Sequence, residues 1–353
     1  MAIQGFTPEE VVERVGCELT TARKIVAGVH QRGDDVLGVR MPKMSRRKDV
    51  DAIATRMYVG KLAVVAREAS ALDPFVKYVL QSEDGARIEA VRIPLEKPGR
   101  FVACVSSQVG CALRCAFCAT GRLGLARNLD AWEIVEQVRV IRRDLPEGGR
   151  MHGVVFQGMG EPLANVERVI AAIRVLHHPC GAAIDQRAIT VCTVGIPAGI
   201  RKLCESGLRV RLGISIASAR PEVRRTLVPV EISNPLTSVL HAAAEYVAIT
   251  GDAPMFAITP LSSVNTSDAD VDAFAHMVQE FRQRTGVSPR VSIVPYNPIG
   301  DDDPFVRAGD AESTRFRDRL SAIGVPVVRR YSGGSDIGAA CGQLVGKLST
   351  AAT

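Results

Sequence analysis

The stretch "CVSSQVGCALRCAFCATG", residues 104–121, holds four of the chain's nine cysteines within fifteen positions. Thiols crowded in this way usually form either a disulfide framework or a metal site. A chain of 353 residues can bury a large core and needs no disulfides to fold. The cysteine number is odd, and the remaining cysteines are scattered: Cys17, Cys180, Cys192, Cys204 and Cys341. The composition therefore favours metal ligation in a reducing, cytoplasmic setting.

The charge of the chain is moderately positive, with a formal net charge of +6 and a pI of about 8.9. Arginine-rich clusters such as "RPEVRR", residues 220–225, permit a polyanionic partner without demanding one, because such clusters are often solvated helix faces. The first residues, "MAIQGFTPEEVVERVG", have no apolar core of the signal-peptide type, and no run approaches the length of a membrane span. We therefore expect a soluble, cytoplasmic monomer that does not engage a membrane.

From about residue 100 the sequence alternates short apolar runs with longer helical segments. The runs are "FVACVS", "GVVFQ", "AITVCT", "VRLGISIA", "MFAITP", "RVSIVP" and "VPVVRR". The clearest helix, "LDAWEIVEQVRVIRRDL", begins with Asp130 and Glu133 in a capping-box pattern. Such alternation predicts parallel strands with helices outside, either an open doubly wound sheet or a full or partial barrel. In each case active groups lie at the carboxyl ends of the strands.

The first 72 residues predict a small helical region with three pieces: "TPEEVVERVG", "TTARKIVAGVHQRG" and "VDAIATRMYVGKLAVVARE". Two β-rich runs follow around Asp84 and Gly85, which is a strong hairpin signal. We therefore divide the chain into a helical accessory domain at 1–72, a β-hairpin connector at 73–99, an α/β domain at 100–335 and a carboxyl-terminal loop at 336–353.

Cys111, Cys115 and Cys118 form a C-x3-C-x2-C loop just after the first predicted parallel strand. Structural zinc usually takes four ligands from two separated pairs, whereas three thiolates on one loop hold three corners of a cubane and leave the fourth iron open. An open iron can chelate S-adenosylmethionine, and an electron passed into the sulfonium splits it to a 5′-deoxyadenosyl radical. The alternatives are a four-thiolate zinc site that recruits Cys104, or three unrelated buried thiols.

A second motif, "GVVFQGMGEP", runs from an apolar strand into Gly158, Gly160 and Glu161. Glycines let backbone approach a ligand closely, and a carboxylate can pair with an ammonium group. Strand–glycine turns alone are usually structural. Together with the cysteine loop, however, the motif resembles the radical S-adenosylmethionine (SAM) superfamily. That resemblance implies one [4Fe–4S] cluster on the three cysteines, and binding of the SAM amino group at Gly160 and Glu161.

Three further stretches, "CVSSQVGCAL", "GMGEPLAN" and "GAACGQL" near the end, resemble the RNA adenine methylases of the RlmN/Cfr family over most of the chain. This family methylates an adenosine of the ribosomal peptidyl-transferase centre. The resemblance implies methylation of adenine carbon 2 or 8 in rRNA or tRNA, with residues 100–335 as a radical SAM partial barrel. It also implies an RNA-binding role for residues 1–72 and a reducing electron donor such as flavodoxin.

The chemistry of the target explains why such a family needs extra cysteines. Carbons 2 and 8 of adenine are electron-poor and cannot attack a sulfonium methyl as a ring nitrogen can, so a radical is required. The resemblance implies that the Cys341 thiolate first takes a methyl group from SAM by displacement, and that a radical then converts it to a methylene that adds to the base. It assigns Glu89 as the base that removes the ring proton. Cys104 would release the adduct and end turnover in a disulfide with Cys341.

Further cofactor contacts carry over from the family with departures. The resemblance assigns Ser215 in "GISIAS" and Asn297 in "VPYNP" to the cofactor, and with them the positions of Cys192, Ile216 and Ala217. Three of the surrounding residues depart from the family pattern: Cys192 replaces a serine, Ala217 a histidine and Tyr296 a tryptophan. These departures leave the reaction class unchanged and leave the exact substrate open.

Two other functions stay open from the sequence. A radical enzyme acting on a peptide or small molecule would share the cluster but would not need Cys341 and Cys104. A zinc-bound, non-catalytic RNA-binding module would instead use Cys104, Cys111, Cys115 and Cys118 as ligands.

Overall fold

The chain folds around one ten-stranded sheet, and a computed structural model describes residues 1–35, 37, 45–300 and 302–345. Residues 346–353 of the predicted carboxyl-terminal loop, and residues 36 and 38–44 of the predicted helical region, lie outside the described residues. Within the described ranges the strands are β1 (Ala63–Ala69), β2 (Val76–Gln81), β3 (Arg87–Pro94), β4 (Arg100–Val105), β5 (Gln108–Cys111), β6 (Gly124–Asn128), β7 (Arg150–Phe156), β8 (Ile189–Thr193), β9 (Arg211–Ser215), β10 (Met255–Ile258), β11 (Arg290–Ile293) and β12 (Val327–Arg329).

The helices are short to medium in length, and none of those described combines the length and apolar character needed to cross a membrane. In the same ranges they are α1 (Pro8–Val15), α2 (Leu19–Ala27), α3 (Arg47–Arg56), α4 (Ala119–Arg122), α5 (Ala131–Arg143), α6 (Val166–His177), α7 (Pro197–Glu205), α8 (Pro221–Leu227), α9 (Leu236–Thr250), α10 (Asp268–Thr285) and α11 (Asp310–Ala322). The predicted capping pair is present at the start of α5, where the Glu133 carboxylate accepts a hydrogen bond of 2.8 Å from the Asp130 amide.

The sheet is a parallel partial barrel with an antiparallel edge. Its order is β1-β2-β3-β4-β7-β8-β9-β10-β11-β12; the seven strands from β4 onward are parallel, and β1 to β4 pair antiparallel. No pairing among the described residues joins β12 back to β1, so the sheet stays open. The seven predicted apolar runs are the seven parallel strands. The predicted partial barrel is therefore confirmed.

One predicted helical piece is wrong in its second half. Helix α3 ends at Arg56, and the residues after Gly60 form strand β1, which pairs with β2 at the sheet edge. Gly60 lies against the indole of Trp132, where an added β-carbon would come within 2.6 Å of the ring. The close approach requires glycine, a poor helix residue, and the β-branched Val64 and Val65 that follow favour a strand. The chain therefore leaves the helix and extends the sheet.

The hairpin predicted around Asp84 and Gly85 is formed by β2 and β3. It is also part of the main sheet, because β3 pairs with β4 with Val91 opposite Cys104. Directly paired residues point to the same face of a sheet, and so do residues two apart on one strand. Glu89, two residues before Val91, therefore shares a face with Cys104.

The register extends this shared face across the barrel. Cys104 pairs with Val155 on β7, Val155 pairs with Thr190 on β8, and Cys192 lies two residues beyond Thr190. Cys192 in turn pairs with Gly213 on β9, two residues before Ser215. All of these residues face the concave side of the sheet. The pairing therefore brings the predicted catalytic and cofactor residues of four strands into one space.

Helices α1 to α3 form a small hydrophobic core of their own and rest on α5. The fully buried members of that core include Ile3, Val11, Val29 and Ile53. Gln4 fixes the contact, since its side-chain amide donates to the Gly60 carbonyl at 2.6 Å and to the Glu136 carboxylate at 3.0 Å. The predicted domain boundary at residue 72 stays a prediction.

The contact between Gly60 and Trp132 predicts how a substitution at Gly60 changes the free energy of unfolding. We expect Gly60→Ala to lower the free energy of unfolding by about 1–3 kcal/mol, because the added methyl group overpacks the indole. Gly309→Ser is the matched control, since Gly309 begins α11 and the nearest atom to an added β-carbon is 3.9 Å away. Its effect should stay within about 0.5 kcal/mol. Urea denaturation measures both, and equal midpoints for the two variants would contradict the role of the contact.

Candidate active site

The cysteine loop lies on a two-stranded hairpin that the sequence did not predict. Strands β5 and β6 pair beside the main sheet, and Cys111 closes β5. Cys115 and Cys118 follow, joined by a hydrogen bond of 3.1 Å from the Cys118 amide to the Cys115 carbonyl. Helix α4 begins directly after Cys118. The hairpin therefore holds the loop at the carboxyl ends of the barrel strands, where active groups were expected.

The three thiols of the loop influence one another. Burial raises the pKa of Cys111 to about 11 and also raises that of Cys115, and the charge of Cys118 adds to both increases. Such thiols are protonated at neutral pH unless a cationic metal centre stabilises the thiolates. Among the described residues, no group of three His, Cys, Asp or Glu side chains is arranged to hold one metal ion. In a cubane the three thiols would each bind a different iron.

An apolar shell surrounds the loop and is separate from the main core. Its buried members are Cys115, Ala217, Leu227, Val228, Leu261 and Tyr296, with Leu113 and Phe117 packed against them. The loop is tied to this shell by a hydrogen bond of 2.9 Å from the Ala116 amide to the Leu227 carbonyl. A shell of this kind limits solvent access, which tunes the reduction potential of a metal centre within it.

Arg224 is a buried cation beside the loop. Its guanidinium donates to the Glu231 carboxylate at 2.8 Å, to the Ile216 carbonyl at 2.8 Å and to the Val194 carbonyl at 2.6 Å. It therefore ties together the chain segments that follow β8 and β9. Its charge also acts to lower the pKa of Cys115, against the larger effect of burial. The positive charge favours the thiolate form that iron requires.

Sequence reasoning missed Arg224 because it lies in an arginine cluster interpreted as a solvated helix face. One signal was available in the spacing. Arg224 shares a face of α8 with Leu227 and with Val228, three and four positions later. An arginine on an otherwise apolar face indicates a buried cation with a specific partner.

The glycine–glutamate motif follows β7 and packs against the segment that leads into the cysteine loop. Gly160 has a φ of +97°, and an added β-carbon would lie 2.5 Å from the Gln108 β-carbon, so only glycine fits. The Glu161 amide donates to the Gln108 side-chain oxygen at 2.8 Å. The turn therefore fixes Glu161 beside the loop.

The Glu161 carboxylate is buried and has no cationic hydrogen-bond partner among the described residues. Its oxygens accept bonds of 3.0 Å from the amides of Leu163 and Val194. Burial raises the pKa of Glu161 to about 7, although these hydrogen bonds oppose the increase. A buried carboxylate held in this way is suited to an ammonium ligand.

Seven of the predicted site residues line one cavity of about 150 Å³, whereas Glu89, Cys104 and Cys111 are not part of its lining. Those that line it are Cys115, Cys118, Gly160, Glu161, Cys192, Ser215 and Cys341. The cavity is smaller than the roughly 300–1,000 Å³ of typical ligand pockets. The reason is the carboxyl-terminal segment, since Cys341, Gly342 and Leu344 form part of its wall.

The carboxyl-terminal segment is tied to the start of helix α4. The Ala119 amide donates to the Gly342 carbonyl at 2.7 Å, and the Thr120 hydroxyl donates to the Leu344 carbonyl at 2.6 Å. Ala119 and Thr120 follow Cys118 directly. The segment that carries Cys341 therefore rests on the loop that carries the other cysteines.

Glu89 contacts the same segment from the opposite side. Its fully buried carboxylate accepts a hydrogen bond of 2.8 Å from the Val345 amide, and lies 3.4 Å from the Lys77 ammonium. Lys77 also pairs with Glu68 at 3.1 Å. Glu89 is therefore a core residue rather than a surface charge on the hairpin. It lies next to the carboxyl-terminal segment, which forms part of the cavity wall.

Asn297 does not line the cavity, and its amide is engaged by the protein. The amide nitrogen donates to the Ser332 hydroxyl at 2.8 Å and to the Cys341 carbonyl at 3.2 Å, while the oxygen accepts from Arg307 at 2.7 Å. Through the bond to its carbonyl, Asn297 holds Cys341, the residue predicted to carry the methyl group. The predicted contact of Asn297 with the cofactor stays a prediction.

Ser215 lines the cavity, whereas Ile216 and Ala217 are buried behind it. Ala217 has a φ of +60°, a conformation that residues with side chains seldom adopt. Asn265 stabilises it by donating to the Ala217 carbonyl at 2.7 Å. The sharp turn after β9 thus presents Ser215 to the cavity, and the contacts predicted for Ile216 and Ala217 remain predictions.

Three thiols outside the loop lie near one another on the concave face. Burial raises the pKa of Cys104, and the charges of Cys341 and Cys192 add to the increase. Burial also raises the pKa of Cys192 to about 12, against the guanidinium of Arg330. All nine cysteines are free, so the disulfide expected between Cys104 and Cys341 at the end of turnover stays a prediction.

Three features together define a radical SAM protein. They are a parallel partial barrel, a three-cysteine loop beside it, and a glycine–glutamate turn after the second parallel strand of the barrel. The model of the radical SAM superfamily matches residues 105–251. A crystal structure of a radical SAM methyltransferase from Sphaerobacter thermophilus is similar over 98% of this chain and 100% of its own, with 33% identity and a TM-score of 0.88.

Similar proteins with assigned names indicate which kind of radical SAM protein this chain is. A probable RNA methyltransferase of Sorangium cellulosum is 52% identical over 96% of this chain and 90% of its own length. A probable dual-specificity RNA methyltransferase RlmN of Picosynechococcus is 40% identical over 82% of this chain and 80% of its own. The chain belongs to the radical SAM RNA methyltransferase family of the RlmN type, which confirms the resemblance of its motifs.

The buried ion pair of Arg224 and Glu231 predicts a large stability effect. We expect Arg224→Met to lower the free energy of unfolding by about 3–5 kcal/mol, because it leaves the Glu231 carboxylate buried without its cation. Adding Glu231→Gln should recover part of the loss. Arg201→Met is the control, since its pair with Glu245 is exposed and exposed ion pairs contribute little to stability. Equal losses for the two single variants in urea denaturation would refute the role of the buried pair.

Proposed function

We propose that this chain methylates carbon 2 or carbon 8 of an adenine in rRNA or tRNA through an S-methylcysteine at Cys341. The observation that carries the proposal is the position of Cys341, which lines one cavity with Cys115, Cys118 and Glu161. A radical enzyme for a peptide or small molecule would have no need of a thiol there. The RNA methyltransferase relatives support RNA as the substrate.

Cys111, Cys115 and Cys118 would hold a [4Fe–4S] cluster, and Gly160 with Glu161 would bind the amino group of SAM. When both are bound, they supply a carbon-centred radical that can remove a hydrogen atom from a methyl group. The donor sets fit these groups, because the thiols are buried together and no cationic partner of the Glu161 carboxylate is found in the part of the chain that the structure describes.

The zinc alternative would need Cys104 as a fourth ligand. The charges that act on the Cys104 thiol come from Cys341 and Cys192 rather than from the cysteine loop. Cys104 also lies on a strand of the main sheet, whereas the loop belongs to the small hairpin. The surroundings of Cys104 therefore favour its pairing with Cys341 and a catalytic function over a closed zinc site.

Different residues of the chain carry out the remaining steps of the methyl transfer. Cys341, as a thiolate, takes the methyl group by displacement and then carries the bond to the adenine carbon. Glu89 removes the ring proton, and the Val345 amide and Lys77 hold its carboxylate near the carboxyl-terminal segment. Cys104, as a thiolate, attacks the Cys341 sulfur: the sulfur–methylene bond breaks, a Cys104–Cys341 disulfide forms, and the released carbon takes up a proton to become the methyl group of the base. Cys104 and Glu89 share the concave face with the cavity, as this sequence of steps requires.

The carboxyl-terminal segment must move during turnover. The cavity of about 150 Å³ is small for SAM and a base together, and Cys341, Gly342 and Leu344 line it. The Leu344 side chain of the segment is buried in the main core. The hydrogen bonds of the segment include those to Ala119, Thr120, Glu89, Asn297 and Pro298. Each contributes roughly 0.5–1.5 kcal/mol net, which binding of a cofactor or substrate can offset. We infer that the segment opens to admit ligands and closes for the reaction.

The departures from the family pattern bear on the choice of target. Cys192 and Tyr296 line the cavity, whereas Ala217 does not. Substitutions in the cavity wall alter which base or cofactor pose fits, so these two positions are the places to test for a change of target. The carbon that is methylated and the RNA that carries it are therefore separate questions for experiment.

The partners follow from the reaction. RNA binding is supported by the net charge of +6, and the helical region at 1–72 is proposed to take part in it. The radical step consumes an electron, so a reducing protein such as flavodoxin is expected to supply one. A monomeric state and a cytoplasmic location remain predictions.

The proposed function is tested by two cysteine variants that should fail at different steps. We expect Cys341→Ala to form no covalent complex with RNA, because no S-methyl group can form. Cys104→Ala should acquire the methyl group, add to the base and stall as a protein–RNA crosslink. Anaerobic reaction with SAM, a reductant and RNA from cells lacking the gene shows the crosslink as a nuclease-sensitive shift on a denaturing gel.

The double variant and Cys204→Ala are the controls for this experiment. The double variant should give no crosslink, and Cys204→Ala should turn over normally, since Cys204 lies on helix α7 away from the cavity lining. Suppose that Cys104→Ala keeps its cluster and is given the RNA that the wild type methylates. If it still gives no crosslink, the roles assigned to the two cysteines are wrong.

The raised pKa of Glu161 predicts a pH dependence for SAM binding. Below its pKa of about 7 the ligand-free carboxyl group is protonated and cannot pair with an ammonium group. Lowering the pH from 7 to 5.5 should therefore raise the Kd of the cluster-loaded protein for SAM by about tenfold. Glu161→Gln should bind SAM more weakly at pH 7 and lose this dependence. Equilibrium dialysis measures both, and the same pH dependence in wild type and variant would exclude Glu161.

A further inference from the structure

A second cavity, of about 420 Å³, opens at the end of the barrel opposite to the active site. It lies among the amino ends of β8, β9, β10 and β11, and its lining shares no residue with the cavity that contains Cys341. Its charged lining consists of one carboxylate, Asp252, and five arginines: Arg187, Arg209, Arg211, Arg290 and Arg330. The strand register explains why cationic groups meet there.

Two of the arginines begin parallel strands and share the concave face of the barrel. Arg211 is the first residue of β9, two positions before Gly213, and Arg290 is the first residue of β11. Gly213 and Arg290 both pair with Met255 on the strand between them. Arg211 and Arg290 therefore lie on one face, on strands separated by β10, with little side-chain bulk at Gly213.

Four of the five arginines form no ion pair with a carboxylate of the described residues. Asp252 is engaged by Arg209 at 3.2 Å. In the described part of the chain, Arg187, Arg211 and Arg290 are exposed and make no side-chain hydrogen bond or ion pair. Like charges in one concave space repel one another, and low-dielectric walls strengthen this repulsion.

Arg330 extends the positive charge into the barrel. It is only partly exposed, and its guanidinium contacts two neutral acceptors, the Ser292 hydroxyl at 3.3 Å and the Met255 sulfur at 2.8 Å. A partly buried cation without a carboxylate is costly unless an anion accompanies it. The cavity thus has a cationic base as well as a cationic rim.

We propose that this cavity binds a phosphoryl dianion, either free or in an RNA backbone. A guanidinium donates two parallel hydrogen bonds to phosphate oxygens, and several guanidinium groups can share one dianion. The cavity volume lies within the range of known ligand sites. The proposal depends on neither the cluster nor the methyl transfer. It can therefore stand if the proposed reaction fails, and it can fail if that reaction is correct.

The test measures anion binding by the full-length protein and by the double variant Arg211→Ala/Arg290→Ala. Isothermal titration with pyrophosphate should give saturable binding to the wild type, and the double variant should bind at least tenfold more weakly. Arg201→Ala/Arg317→Ala is the matched control, because both arginines are exposed, pair with surface carboxylates and do not line the cavity. The variants replace exposed residues, and unchanged urea midpoints confirm that they fold.

A second measurement separates the two sources of the phosphoryl group. The affinity for an RNA fragment is measured at several salt concentrations. If RNA phosphates occupy the cavity, the double variant should reduce the slope of log K against log salt by about 1 for each phosphate that the cavity no longer neutralises. If a free anion occupies it, the RNA affinity and slope should match the control while pyrophosphate binding is abolished. Unchanged pyrophosphate binding together with an unchanged RNA slope would overturn the proposal.

Discussion

The Ser106 hydroxyl joins two strands and the glycine–glutamate turn at the level of the site, and the arrangement of the predicted active residues depends on it. It donates to the Glu89 carbonyl at 2.6 Å and accepts from the Met159 amide at 2.9 Å. Ser106 itself follows β4, two positions after Cys104. One fully buried side chain therefore connects the strand of the proposed base, the strand of the resolving thiol and the glycine–glutamate turn. Each of these elements can be displaced only if the others shift with it.

Charge is the second constraint on the site. The described residues near the cysteine loop include buried thiols, a buried carboxylate at Glu161 and one buried guanidinium at Arg224. Without metal, the thiols and the carboxylate hold protons easily, because burial raises their pKa values. Binding of cationic groups would release these protons and convert a neutral pocket into an ionic one. The positive charge of Arg224 favours the thiolate form of Cys115, and the ion pair with Glu231 stabilises the Arg224 guanidinium where it is buried.

Sequence predicted what depends on local pattern and missed what depends on contacts between distant segments. The parallel strands, the α5 cap and the cysteine and glycine–glutamate motifs are each encoded within a few residues. Strand β1 was missed because the reason for it, the close approach of Gly60 to Trp132, joins positions far apart. The anchoring of Cys341 by Asn297, 44 positions apart, has the same character. Arg224 lies between these two cases. The apolar helix face that it shares can be identified from the sequence, whereas its partners after two strands cannot.

The carboxyl-terminal segment shows how one structure can satisfy opposing requirements. A thiol that meets both a small cofactor and a base in RNA cannot be fixed in a strand, yet it must return to one position. Its described ties run to the helix after Cys118, to Glu89 and to Asn297, so they come from the cluster loop, the proposed base and the barrel rim. These ties use backbone groups of the segment, and the Gln343 side chain adds a hydrogen bond to the Pro298 carbonyl, whereas none of these bonds uses the Cys341 thiol. Leu344 of the segment is also buried in the main core, so opening would expose that side chain, and when the segment closes the same groups place its thiol among the residues that must act on it.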